Sequence, residues 1–172
     1  LGRLFYPVCR RRILYQMYDA ILVPTDGSEA ATRAAAHAAY LAEAFDGTVT
    51  FLNVVDLDFE AGLFSAGGVD DAYLQRLVDR GRETVDETAA GVQTSTAQTE
   101  VVTGRPAEAI LEQIDETGID LVVMGTHGRT GVRRHVMGSV AERVVALADV
   151  PVITTRAPED DRPVEDYEEI LV

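Results

Sequence analysis

Ala20-Ile21-Leu22-Val23-Pro24-Thr25-Asp26-Gly27-Ser28 is the stretch on which the fold turns. Ala20 to Pro24 is a short unbroken apolar run, the pattern of a strand covered on both faces. Asp26-Gly27-Ser28 breaks that run, and Ser28 stands where a hydroxyl caps a helix. The helix predicted next, about Glu29 to Ala44, is dense in alanine, so it can lie close against a sheet.

Outward from there the alternation repeats. Thr48 to Val55 is rich in β-formers and reads as a second strand. Asp56 to Val69 contains Gly62, Gly67 and Gly68 and reads as a mobile loop. Asp70 to Ala90 places Tyr73, Leu74, Leu77, Val78 and Val85 on one helical face. Thr94 to Val102 is a third strand, more polar and so expected at an edge. Pro106 suits a helix start, with Ala107, Ile110, Leu111 and Ile114 as its buried stripe. Asp120 to Met124 reads as a fully buried strand. Ser139 to Ala148 is the last helix, with Val140, Val144 and Val145 expected inward, and Val150 to Thr155 is the fifth strand.

Such regular alternation predicts an α/β fold: a single five-stranded parallel sheet with helices on both faces. The handedness of crossovers restricts the strand order, and 3-2-1-4-5 is expected. Strands one and four are then neighbours although far apart in sequence. Where the winding reverses, the loops after those strands splay apart and leave a crevice at the carboxyl ends. Those loops are Thr25-Asp26-Gly27-Ser28 and Gly125-Thr126-His127-Gly128.

Composition narrows the functional classes. Hydrophobic residues make up 47% of the 172, enough for a proper core. No apolar run approaches the ~20 residues of a membrane span. The net charge is −14 and all 15 basic residues are arginine. That surface repels nucleic acid at ordinary ionic strength. In molar salt the Debye length shrinks to about 3 Å, and the same surface is screened and stays hydrated. The expected setting is therefore a salt-rich cytoplasm, as in an extreme halophile; an ordinary acidic protein is the alternative. Cys9 is the single cysteine, which excludes an intrachain disulfide and a thiolate metal cage.

The ends differ from the middle. Residues 1 to 16 carry Arg3, Arg10, Arg11 and Arg12 and no acid, whereas from Met17 onward 11 arginines face 29 acids. Ile13 and Leu14 are too few for an apolar signal core. The segment is read as a misassigned start or a disordered arm, with membrane or nucleic-acid attachment the lesser alternative. Residues 17 to 156 form the expected domain. Residues 157 to 172, with seven acids and no periodicity, form an expected acidic tail.

The segment Gly125 to Ser139 carries the chemistry. It follows a buried strand and runs into a helix. In that context glycines let backbone N–H groups approach phosphate oxygens, and the helix adds its positive dipole end. Arg129, Arg133, Arg134 and Arg143 make a basic island there against one acid, Glu142. A plainer reading is that Ser139 and Glu142 form a capping box serving only the helix. The two readings are compatible, since an anion and a cap use the same N–H groups.

Two residues separate Gly125 from Gly128, and nine separate Gly128 from Gly138, with Ser139 next. This G-x2-G-x9-G-S/T spacing resembles the ATP-binding branch of the universal stress protein family. The resemblance runs from Met17 to about Arg156. It includes Ile21 to Ser28, Asn53-Val54-Val55-Asp56, Gly104-Arg105-Pro106-Ala107 and Val150-Pro151-Val152. The P-loop lysine is absent, and no G-x-G-x-x-G occurs.

The resemblance implies a Rossmann-like fold of the adenine nucleotide α-hydrolase type. It implies ATP as the ligand, with Mg or Mn as a possible companion. Adenine would lie near Thr25, Asp26 and Val54. Asp26 would accept from the adenine amino group or help hold the metal; an Asx-turn or helix cap is its structural alternative. Val54 would otherwise be plain core. Met124, Gly125 and His127 match positions around ribose and phosphate, and Gly128, Gly138, Ser139 and Val140 match the phosphate cradle. Arg129 lies beside the cradle and could screen phosphate charge, whereas Arg133 and Arg134 are expected to pair with acids. Ala141 departs from relatives that carry a hydroxyl there, which puts one phosphate contact in doubt. A homodimer through Val150 to Thr155 is also implied, as is an unidentified protein partner.

For hydrolysis His127 and Asp26 are the candidate groups, and the sequence offers nothing to orient either. The expected function is thus a nucleotide-dependent stress or signalling module with little or no hydrolysis. A weak ATPase or nucleotidyl-transfer enzyme and a structural dimer without nucleotide are the alternatives.

Overall fold

The computed structural model describes residues 18–56, 71–92, 94, 96–128 and 137–156. The expectations for residues 1 to 16, the tail at 157 to 172, the loop after Asp56, and Arg129, Arg133 and Arg134 lie outside the described residues.

Five strands, β1 (Ala20–Pro24), β2 (Thr48–Val55), β3 (Ala97–Thr103), β4 (Leu121–Gly125) and β5 (Val152–Thr155), form one parallel sheet. Its order is β3-β2-β1-β4-β5, as the alternation predicts. The helices are α1 (Glu29–Phe45), α2 (Asp71–Ala90), α3 (Pro106–Thr117) and α4 (Ser139–Leu147).

The central strands explain their own composition. Ile21, Leu22 and Val23 of β1 and Leu121, Val122 and Val123 of β4 are wholly buried, because helices cover both faces. On one face Ile21, Val23, Phe51 and Val123 pack with Ala34, Ala35, Ala38 and Ala42 of α1 and Val85 of α2. On the other, Leu22, Leu52, Val122 and Met124 meet Ile110 and Ile114 of α3 and Ala141 and Val144 of α4. Ser28 caps α1, its hydroxyl accepting from Ala31 N–H at 3.3 Å. β3 is an edge strand whose first three residues are exposed, in keeping with its polarity.

Several boundaries and faces differ from expectation. Asp120 does not begin β4; its carboxylate instead accepts from Asp19 N–H at 2.8 Å and from Ala20 N–H, fastening the start of β1. Val145 does not face inward. It is 45% exposed, while Ala141 and Val144 are buried and Val140 is half-buried. Adjacent positions on a helix lie about 100° apart, so Val144 and Val145 cannot share one narrow inward stripe. The capping box is also absent: Gly138 occupies the N-cap position, Ser139 lies inside the helix, and among the described residues no side chain caps it.

Candidate functional site

The reversal of winding falls between β1 and β4, which pair through Ile21↔Leu121 and Leu22↔Val122. A cleft of about 520 Å³ opens beyond their carboxyl ends. Ten expected site residues line it: Thr25, Asp26, Val54, Met124, Gly125, His127, Gly128, Gly138, Ser139 and Val140. The eleventh, Arg129, lies outside the described residues. Of the basic island, Arg143 is turned to Glu108 at 3.2 Å, on the flank of α3.

Backbone alternation sets the wall formed by β2. Thr48 N–H donates to Asp19 O and Leu52 O accepts from Thr25 N–H, so even-numbered residues of β2 bond towards β1. Odd-numbered residues bond the other way, Val49 N–H to Thr96 O and Val55 O to Gly104 N–H. Val54 belongs to the even set, but β1 pairing ends at Pro24↔Leu52. Its N–H and C=O therefore turn into the gap that β1 leaves on departing from the sheet.

The facing wall is the start of α4. Gly138 N–H donates to Thr126 O at 2.8 Å, and Glu142 N–H is the first to bond back, to Gly138 O at 2.9 Å. The N–H groups of Ser139, Val140 and Ala141 thus receive no cap from a described side chain. An uncapped helix start beside glycines suits an anion.

Packing also demands the glycines. A Cβ at Gly125 would stand 2.9 Å from Ala30 Cβ and 3.0 Å from Ala30 C, in the first turn of α1. One at Gly128 would stand 2.6 Å from Asp26 Oδ2, and one at Gly138 would stand 3.2 Å from Thr126 O. The glycines thus let the loops after β1 and β4 close on each other. Ser28 Oγ ties the same loops by donating to His127 O at 3.4 Å.

Asp26 Oδ1 accepts from Ser28 N–H at 3.0 Å, which is the Asx-turn. His127 Nδ1 lies 2.9 Å from Thr126 Oγ1, and Thr126 N–H donates to Thr155 O at 2.8 Å. The expectation that nothing orients either group is therefore corrected: each has a local hydrogen-bonding partner. Thr126, 3% exposed, is not among the expected site residues, and its place in Gly125-Thr126-His127-Gly128 is the one sequence signal for it. Among the described residues no group of three or more His, Cys, Asp or Glu gathers to hold a metal. A metal at the cleft would need phosphate oxygens to complete its shell, with Asp26 and Asp56 as the acidic side chains on the wall.

The family model for universal stress proteins matches residues 17–156. The chain belongs to the universal stress protein family. A universal stress protein of Methanocaldococcus jannaschii, MJ0531, is 37% identical over 150 residues, covering 84% of this chain and 86% of the relative. The solved structure of MJ0577 from the same organism has a TM-score of 0.61 at 26% identity, covering 84% of this chain and 99% of that one. An Archaeoglobus fulgidus universal stress protein, solved in complex with dAMP, has a TM-score of 0.52 at 20% identity, covering 81% and 99%. That last likeness carries the fold alone.

Within this universal stress protein, no helix of the described residues is long and apolar enough to cross a membrane. Thr25 also has unexpected partners. Its N–H donates to Leu52 O, its carbonyl accepts from Asn53 Nδ2 at 2.8 Å, and its hydroxyl accepts from Gly27 N–H and pairs with Thr88 Oγ1 at 3.2 Å. Every polar atom of Thr25 is engaged inside the protein.

Proposed function

We propose that this cleft binds ATP, with a divalent ion such as Mg or Mn on the phosphates, and that the chain acts as a nucleotide-dependent stress or signalling module with little or no hydrolysis. One observation carries the reading. The cleft joins an outward N–H and C=O pair on Val54 to the uncapped start of α4 across the β1–β4 reversal. Adenine offers an acceptor ring nitrogen beside a donor amino group, the complement of one residue's N–H and C=O. Backbone N–H groups at a helix start favour phosphate. The cleft volume lies within the roughly 300–1,000 Å³ usual for small-molecule sites. The dAMP bound by the Archaeoglobus protein is further support, at the level of fold.

In this reading Thr25 and Asp26 form the base-side wall, and Met124, Gly125 and His127 flank the ribose and phosphates. Gly128, Gly138, Ser139 and Val140 cradle the phosphates, with Arg129 beside them. A homodimer would form through Val150 to Thr155, supported by Ile153, 37% exposed on the β5 edge. Sedimentation in molar salt checks this, and a monomer there contradicts it. The acidity of the chain supports a salt-rich cytoplasm as its setting.

Protein purified in high salt and then denatured should release ATP identifiable by chromatography, and added ATP should raise the melting temperature. Saturation at 100 times Kd corresponds to about 2.7 kcal/mol. Finding neither nucleotide nor stabilisation would overturn the proposal. The contact between His127 and Thr126 favours one second reading, a weak ATPase. Phosphate release above background that His127→Gln abolishes would decide for it.

A further inference from the structure

The base-side wall of the cleft is held by side chains from outside the cleft loops. After Pro24, β1 has no further register with β2. Thr25, at the head of this turn, keeps its place through one ladder-like bond, its N–H to Leu52 O, and through the side chains of Asn53 and Thr88. Thr88 sits in the last turns of α2, and its hydroxyl donates to Thr84 O at 2.7 Å. That leaves its oxygen to receive the Thr25 hydroxyl proton, while the Thr25 oxygen receives Gly27 N–H at 3.2 Å. The chain of donors therefore runs in one direction, from Gly27 through Thr25 and Thr88 to a helical carbonyl.

Two glycines make this approach feasible. A Cβ at Gly81, in the middle of α2, would stand 2.8 Å from Asn53 Oδ1 and 3.0 Å from Val101 Cγ1. Gly27, at φ +75°, has its missing Cβ 3.3 Å from Thr84 Cγ2. A glycine in a helix interior is less favourable than alanine. At Gly81 that cost accompanies the close seating of α2 over Asn53.

We propose that Asn53 and Thr88 are positioning residues of the nucleotide cleft, and that through Thr25 they couple α2 to its occupancy. The inference rests on the ATP reading above. Neither residue need touch the nucleotide: they fix the turn against which the base would lie. Coupling is reciprocal, so whatever α2 gains from an occupied cleft, the nucleotide loses when α2 is detached.

The test compares Thr88→Val, which keeps the shape and removes the hydroxyl, with Thr88→Ser, which restores it. ATP with Mg is titrated into each full-length chain, and the melting temperature without ATP is recorded alongside. Thr88→Val should weaken ATP roughly 5- to 10-fold, the worth of about one net hydrogen bond, and Thr88→Ser should stay within about twofold of the parent. Hydrogen exchange on the unsubstituted chain supplies a readout that needs no variant. ATP should slow the amides of residues 84 to 90 and leave the exposed start of β3 unchanged. If the parent binds ATP, equal affinity in Thr88→Val or unaltered exchange in α2 overturns the coupling alone. If the parent does not bind ATP, the proposed function falls and the coupling falls with it.

Discussion

At the scale of single residues, His37 reports on the packing of α1. Burial, and then the neighbouring Arg33 charge, lower its pKa below the usual 6.5. The unfolded chain therefore takes up this proton before the folded one does. Above pH 6.5 neither form binds it and His37 has no effect. As pH falls below 6.5, stability declines until the lower folded value is passed, and then levels off. His37→Gln should remove that part of the slope, so the difference between the parent and variant denaturant midpoints should change between about pH 7.5 and 5. A variant that keeps the parent's slope would show that other groups carry it. At the same scale, Thr25 shows what sequence cannot display. Its position in the cleft follows from the loop pattern, but its partners Asn53 and Thr88 lie 28 and 63 residues away. Nothing local marks a threonine whose hydroxyl has been committed by tertiary contact.

At the scale of elements, apolar runs and punctuation made the fold legible. Ala20–Pro24 and Leu121–Gly125 are strands because each can bury both faces under helices. The alanine spacing of α1 places Ala34, Ala38 and Ala42 on one stripe against β1 and β4. The legibility failed where an element is short. In the nine residues of α4 three valines compete for a stripe that holds Ala141 and Val144, and composition alone could not rank them. The capping box failed for a related reason, since its spacing matched but the helix begins one residue early, at Ser139 rather than after it. The glycines Gly125, Gly128 and Gly138 were legible as lining the cleft, but their packing role was not. Gly125→Ala should cost about 1–3 kcal/mol even without ligand, because its Cβ meets the backbone of Ala30, which cannot move cheaply. Gly128→Ala meets only the far end of Asp26 and should be much milder. Equal losses in urea unfolding would contradict this division between backbone and side-chain contacts.

At the scale of the whole molecule, a chain of net charge −14 holds a cleft whose far wall is a helix start. Anion binding there has to be local, since the global field opposes it and salt weakens that opposition. The two walls come from opposite halves of the chain and meet only because β1 and β4 are neighbours in the sheet. The central claim is that an adenine nucleotide bridges them. Its most direct test is amide NMR of the full chain during an ATP titration in molar salt. The account predicts saturable shifts at Val54 on one wall and at Ser139, Val140 and Ala141 on the other, with one shared Kd. Shifts confined to one wall, or none at either up to millimolar ATP, would contradict it.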